Sequence, residues 1–393
     1  MMLNWIARVW DDPLGSPKTR SELLKQLAQQ SPRVALDRIS SYLSDLLKAS
    51  DLDPVSLLRI VYPLDKAGTA YERLLTQEYL SLDAPPEVPG QQAIANSVAV
   101  YAERLIGIYR LCLAQHRVGG ASAVALRNQL PRIICKALRA YSTQLKWSLF
   151  HYRPVELGFW RELGDLYRVA ESLHFAQTNV VIHRGETTTV QAEFLRAGMM
   201  AASSPDALQP RQVEVVDSIL ARFCGDFHLA QRPTEGLPFV VDLSGQTTPR
   251  RLSQQAKFTS VKRCFGPGPA YERVREAEEF IERSNTVPAG LGLPTEVADL
   301  PLVQATVQHL LNCWLPQLAQ GTRRGVRTSS ALPSCTNSRK WQPTWRPSVS
   351  TRPSLAMRAV GIRGRQSDRL RCLRAQSGGS LDYSRPSNRA QAR

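Results

Sequence analysis

The sequence lacks the short motifs by which many enzymes are recognised. It contains no G-x-S-x-G nucleophile elbow, and none of its glycine-rich stretches carries the Lys-Ser or Lys-Thr pair of a phosphate-binding loop. Its 6 histidines are scattered, and none stands at metal-ligand spacing from another histidine, a cysteine or a carboxylate. We therefore predict no catalytic residues, no metal site and no cofactor, and we expect a protein that is not an enzyme.

Long apolar runs and paired cysteines are also missing. No stretch approaches the ~18 apolar residues that a membrane-spanning helix needs. The 7 cysteines are odd in number and widely spaced, with no C-x-x-C pair, which argues against a disulfide framework and against a zinc knuckle. The apolar start, Met1–Trp10, has helical spacing but no signal-peptide cleavage site. These features predict a cytoplasmic protein with reduced thiols and no membrane span.

Positive charge is concentrated at the C-terminal end of the chain. The whole protein has a net charge of +16, yet residues 321–393 alone contain 15 Arg and 1 Lys against 2 Asp and no Glu. The preceding 320 residues are nearly neutral, so no basic field covers the folded part. Trp341 and Trp345 are too few for a platform on which nucleic-acid bases could stack. Nucleic acid is therefore not the expected partner.

Hydrophobic periodicity predicts a mostly α-helical fold over residues 1–320, with short connections that favour antiparallel packing as a multi-helix bundle. A sub-boundary is expected near residues 85–90, where three prolines cluster. The predicted helices are Ser21–Gln30, Ala35–Ala49, Pro54–Leu80, Gln91–Val118, Ala121–Phe150, Pro154–Phe175, Thr188–Ala202, Gln209–Phe223, Ala270–Ser284 and Leu302–Leu315.

A small α+β part is expected at residues 225–300. The apolar runs Leu237–Leu243 and Val261–Phe265 predict a two- or three-stranded ribbon, whereas His183–Glu186 is expected to be a loop between helices. Beyond Gly321 the periodicity stops and arginine and serine dominate. Such a composition cannot bury enough apolar area to offset chain entropy, so residues 321–393 are predicted to be a disordered basic tail.

The most specific candidate site lies where the ordered composition ends. Arg323, Arg324 and Arg327 follow the last predicted helix, and two of these arginines are four residues apart. Guanidinium groups at this spacing can contact phosphates in a bidentate manner or stack on a purine. We therefore predict these three arginines as ligand-binding residues.

Three segments carry a resemblance to known proteins: Val190–Asp206, Phe239–Ser244 and Cys313–Pro316. With them, residues 1–327 resemble proteobacterial proteins that have a long helical N-terminal region, an arginine-rich link and a C-terminal PilZ β-barrel. In PilZ domains an R-x-x-x-R motif at the start of the barrel binds cyclic diguanylate (cyclic di-GMP), and a later D/N-x-S-x-x-G motif completes the site. The resemblance implies that Arg323 and Arg327, with Arg324 beside them, are the first of these motifs.

The second PilZ motif is missing from this sequence. The nearest approach is Asp382–Ser387, which ends in serine where the motif has glycine, and no alternating strands follow Arg327. We therefore expect the chain to bind cyclic di-GMP poorly or not at all. The abrupt change of composition leads to the hypothesis that the gene changes reading frame near codons 320–330, or that the chain is a truncated relative.

Together these observations predict a non-enzymatic, cytoplasmic regulatory or adaptor protein related to PilZ-type cyclic di-GMP signalling, whose helical domain binds a protein partner of unknown identity. The first alternative is a helical interaction scaffold unrelated to nucleotides. The second is a protein that binds nucleic acid through its basic tail, in which case binding would fall steeply with salt.

Overall fold

The structure is a computed structural model, and it describes residues 16–315 except 50–51, 83–87, 157, 184 and 254–257. All of these residues belong to the unit Met1–Arg324. They form a mostly helical fold with two small antiparallel sheets, which confirms the predicted fold class. The helix predicted within Met1–Trp10 and the predicted disorder of residues 321–393 both lie outside the described residues.

Proline stands in the first turn of each of the first four helices. This position suits proline because a first-turn amide N–H has no partner within the helix and the ring fixes φ at a helical value. Asp53 also caps the third helix, where its side chain accepts hydrogen bonds from the backbone of Val55 and Ser56. These helices are α1 (Pro17–Ala28), α2 (Pro32–Lys48), α3 (Pro54–Ser81) and α4 (Pro89–Val118).

The single helix predicted over Ala121–Phe150 is wrong, because the structure has two helices there. The short α5 (Gly120–Leu126) is followed by a 3-10 turn at Arg127–Gln129 and then by α6 (Leu130–Phe150). Pro131 lies in the first turn of α6 and has no amide N–H with which to continue a preceding helix. The next helix, α7 (Phe159–Ser172), starts after a left-handed glycine and is shorter than predicted.

The stretch His183–Glu186 was predicted to be a loop between helices, but this prediction is wrong. In the structure it contains the turn of a β-hairpin. Strands β1 (Val180–His183) and β2 (Glu186–Thr188) pair antiparallel, with Val180 opposite Thr188. Gly185 has a φ of 83°, a left-handed value that glycine adopts without strain. The hairpin leads directly into two further helices, α8 (Val190–Ala202) and α9 (Pro210–Phe223).

A four-stranded antiparallel sheet follows, one strand more than the largest ribbon predicted. Its order is β3-β6-β4-β5, and Phe239 of β4 pairs with Phe265 of β6. The apolar runs predicted β4 and β6, but the outer strands have only three and two residues and carry no periodic signal. The strands are β3 (His228–Ala230), β4 (Phe239–Asp242), β5 (Arg250–Arg251) and β6 (Lys262–Gly266).

Two last helices, α10 (Pro269–Ser284) and α11 (Leu300–Trp314), complete the fold. One hydrophobic core contains buried side chains from α1 through α11. Trp314 at the end of α11 is fully buried and donates a 2.9 Å hydrogen bond from Nε1 to Oγ of Ser203. Gly164 of α7 touches the backbone of Leu243 so closely that a Cβ there would overlap the Leu243 carbonyl oxygen. The helices and the sheet are thus parts of one packed body.

Candidate functional site

The predicted ligand-binding arginines, Arg323, Arg324 and Arg327, lie outside the described residues, so their role stays a prediction. The last described residue is Leu315, whose carbonyl oxygen accepts a 3.0 Å hydrogen bond from Arg251 of β5. Arg251 also donates to the carbonyl oxygen of Cys313. This contact fixes the C-terminal end of α11, from which the chain continues toward the arginines.

A large polar pocket lies between α3, α6 and α9, and the hairpin, α8 and residues 292–296 add to its wall. Its volume is about 790 Å³, within the range of small-molecule sites. Six basic and six acidic side chains line it: Arg73, Lys136, Arg139, Lys146, Arg196 and Arg222 against Asp65, Glu72, Glu186, Glu214, Asp217 and Glu296.

Lys146 of α6 forms the centre of the charge network. Its buried ammonium lies 3.1 Å from Oε1 of Glu72, 3.2 Å from Oε2 of Glu214 and 3.6 Å from Oδ2 of Asp217. Burial disfavours the charged form, but the attraction of the three carboxylates outweighs it and raises the pKa of Lys146 above its ordinary value. The lysine therefore stays protonated and joins α3 to α9.

Glu214 and Asp217 share this lysine but differ in ionisation. Asp217 also accepts two hydrogen bonds from Arg196, of 3.2 Å from Nε and 2.7 Å from Nη2. Burial opposes its ionisation, but Arg196 and Lys146 together lower the pKa of Asp217. Glu214 has no arginine beside it, so burial, aided by the neighbouring carboxylates, raises its pKa to about 7. Near neutral pH, Glu214 can exchange a proton.

A second ionic group lies deeper along α3. The ammonium of Lys136 is 3.0 Å from Oδ2 of Asp65, and the hydroxyl of Tyr109 donates to the same oxygen at 2.5 Å. Tyr101 donates to the backbone carbonyl of Asp65 at 3.0 Å. Burial dominates here, so the pKa of Lys136 is lowered despite its partner, and the pKa of Tyr109 is raised well above the ordinary value.

Arg139 joins the hairpin to the pocket wall. Nη2 of Arg139 lies 2.7 Å from Glu186 of β2 and 2.8 Å from Glu193 of α8. The turn that sequence reasoning took for a plain connection therefore places a carboxylate at the pocket wall.

None of the residues that line this pocket was predicted as a ligand-binding residue, although the polar stretch His183–Glu186 contains one of them, Glu186. A signal was present in α6, where Lys136, Arg139, Ser142 and Lys146 recur at spacings of three, three and four residues in an otherwise apolar helix. This spacing places them on one helical face. The carboxylates on α3 and α9 gave no such signal, because acidic residues are common on solvated helical faces.

The pocket wall is built from ion pairs and hydrogen bonds. Across the described part of the chain, no group of three or more His, Cys, Asp or Glu is arranged to hold a metal ion. The five described cysteines are unpaired, and burial raises the pKa of Cys112 to about 12 and that of Cys264 to about 11. Those two thiols are therefore poor nucleophiles.

Residues 18–234 match the family model of the N-terminal domain of the cyclic-di-GMP receptor FimW. The chain belongs to this FimW family. The match runs from α1 to just beyond β3 and contains every residue of the pocket wall except residues 292–296. It confirms the expected link between the helical region and cyclic di-GMP receptors, whereas the PilZ part stays a prediction because the match ends at residue 234.

No curated protein and no solved structure matches the chain. Among the helices that the structure describes, none is long and apolar enough to cross a membrane.

Proposed function

We propose that the chain is a cytoplasmic, non-catalytic regulatory protein of cyclic di-GMP signalling whose helical region binds a protein partner. The observation that carries this proposal is the family match, because residues 18–234 cover most of the helical fold and belong to the N-terminal region of a cyclic-di-GMP receptor. A regulatory role follows from the family description.

The arrangement of the charged groups supports a non-catalytic role. A general base or a nucleophile needs a free reactive atom beside a group that activates it. In the pocket, Lys146 is surrounded by carboxylates and Asp217 is held by Arg196, so neither of these two groups presents a free reactive atom. Outside the pocket, Nε2 of His309 lies 2.7 Å from the backbone carbonyl oxygen of Ser203 and 3.5 Å from Sγ of Cys313.

Arg323, Arg324 and Arg327 fit this proposal as the remaining half of a PilZ-type nucleotide site. Without the second motif, the phosphates would be contacted on one side only, and the guanine would lose its polar partners on the barrel. We therefore propose that nucleotide binding through these arginines is impaired in this chain and that regulation depends on the helical region.

The proposal is tested in the native host by raising cyclic di-GMP with an added diguanylate cyclase and comparing the parent with a strain that lacks the gene. Deletion should change the response of surface attachment to the nucleotide, and the wild-type gene should restore it. A gene carrying Arg323→Ala and Arg327→Ala should restore it equally well. An unchanged response in the deletion strain would contradict the proposal and favour a helical scaffold unrelated to nucleotides.

A further inference from the structure

The polar pocket between α3, α6 and α9 contains buried acceptors that no donor satisfies. Oγ of Ser142 makes no hydrogen bond, although the side chain is buried and only 9% of the residue is exposed. Oε2 of Glu296, which also lines the pocket, likewise has no hydrogen-bond partner, whereas Oε2 of Glu214 is paired with the ammonium of Lys146 at 3.2 Å. Buried polar atoms without partners are unusual in folded proteins, and two around one cavity indicate a missing ligand or water.

The charges around Lys146 indicate which kind of group is missing. Lys146 and Arg196 bring two positive charges to a cluster that holds three carboxylates, those of Glu72, Glu214 and Asp217. The excess of negative charge is consistent with the ready protonation of Glu214 near neutral pH. The interior is therefore suited to a group that donates hydrogen bonds.

The rim of the pocket has the opposite character. Arg73 is exposed and makes no hydrogen bond or ion pair with any described residue. Arg222 is also exposed, and its one hydrogen bond to the described part of the chain is a long one of 3.4 Å to the carbonyl oxygen of Gly290. Free guanidinium groups are the usual protein partners of phosphates.

We propose that this pocket binds a guanine nucleotide, with the base inside and a phosphate at the rim. The N1–H and 2-amino groups of guanine would donate to the carboxylate of Glu214 and to Oγ of Ser142, and the phosphate would contact Arg73 and Arg222. The choice of a guanine nucleotide, and of cyclic di-GMP as the probe, rests on the proposed function. The pocket is a second site, distinct from Arg323, Arg324 and Arg327.

Adenine provides the matched comparison. Its Watson–Crick edge presents a ring nitrogen acceptor where guanine presents N1–H, so it would set an acceptor against the Glu214 carboxylate. A site built to receive hydrogen bonds rejects a ligand that cannot donate them. The pocket should therefore prefer cyclic di-GMP to cyclic di-AMP by at least tenfold.

Equilibrium dialysis of the full chain against labelled cyclic di-GMP at pH 8, where Glu214 is mostly ionised, tests the proposal. Ser142→Ala is the cleanest variant, because the hydroxyl it removes has no partner in the free protein, and it should weaken binding about fivefold or more. Glu214→Gln should weaken it at least tenfold. Arg73→Ala should also weaken binding, whereas Arg33→Ala, at an exposed position on α2 away from the pocket, should leave it unchanged.

Arg323→Ala combined with Arg327→Ala separates this site from the predicted PilZ-type arginines. Binding that survives this double variant but is weakened by Ser142→Ala supports the pocket. Binding lost only in the double variant overturns it, as does equal binding of cyclic di-AMP. No binding by the wild-type chain also overturns the pocket, but it leaves the proposed regulatory function standing, because that function is tested by the response of the host.

Discussion

Replacing Lys146 with methionine removes the cation on which three buried carboxylates depend. Methionine keeps the length and apolar character of the lysine stem, so the change is mainly electrostatic and includes the loss of the ammonium's contact with the Phe150 ring, 5.9 Å from its centroid. Glu72 and Glu214 then face each other without the ammonium, while Asp217 retains Arg196. Removing one partner of a buried ion pair typically costs about 3–5 kcal/mol of unfolding free energy.

Urea denaturation followed by circular dichroism at pH 7 measures this loss. Lys48→Met is the control, because Lys48 is three-quarters exposed and forms only a surface ion pair with Asp45. We expect it to change the unfolding free energy by less than about 1 kcal/mol. A loss for Lys146→Met no larger than that of Lys48→Met would refute the view that this lysine holds α3 and α9 together.

Two further readouts follow from the same geometry. Glu214→Gln removes one of the unpaired charges, so the double variant should be more stable than the sum of the single losses predicts, by at least about 1 kcal/mol. Lys146 lowers the folded-state pKa of Glu214, so without it that pKa rises and the loss should be greater at pH 8 than at pH 6. Additive losses with no dependence on pH would contradict the coupling.

The remaining predictions concern Glu214, the contact of α7 with the sheet, and the C-terminal tail. Because the folded-state pKa of Glu214 is raised to about 7, its contribution to stability is present below its ordinary pKa near 4.5 and lost as the pH rises through 7. Wild-type protein should therefore lose about 3 kcal/mol more between pH 4.5 and 8 than Glu214→Gln in urea titrations, and parallel pH profiles would count against this. Gly164→Ala should lower the unfolding free energy by about 1–3 kcal/mol, since its Cβ meets the Leu243 carbonyl. Gly90→Ala, whose Cβ would meet nothing within 4 Å, should cost nothing. Translating the other two frames downstream of codon 320 should reveal alternating strands and a D/N-x-S-x-x-G motif; their absence would end the frameshift hypothesis.

Most helices could be predicted because the signals for their first residues and their apolar periodicity are local features of the sequence. Pro54, Pro89, Pro210 and Pro269 each stand in the first turn of a helix, close to where apolar periodicity begins. The observed helix boundaries differ from the predicted ones where a local signal was ambiguous. Pro131 is an example, because it divides one periodic stretch into two helices. The hairpin was missed because strands of three or four residues are too short to show a period of two.

The pocket could not be predicted because its parts are distant in sequence. Lys146 meets Glu72 from α3 and Glu214 from α9, at separations of 74 and 68 residues. On a single helix a glutamate next to polar neighbours is the ordinary sign of a solvated face. Only the packing of three helices turns these positions inward. The basic residues within the apolar α6 were the one local indication of that packing.

The pairing of β3 with β6 shows where the chain should be cut for experiments on its helical region. The family match ends at residue 234, after β3, whereas β6 and the core residue Trp314 lie beyond it. A protein shortened to residues 18–234 would leave the edge of β3 unpaired and remove the tryptophan that donates to Ser203. Exposed strand edges and apolar surface promote aggregation. A version ending after Leu315 keeps both contacts and is the smallest one expected to stay monodisperse in solution.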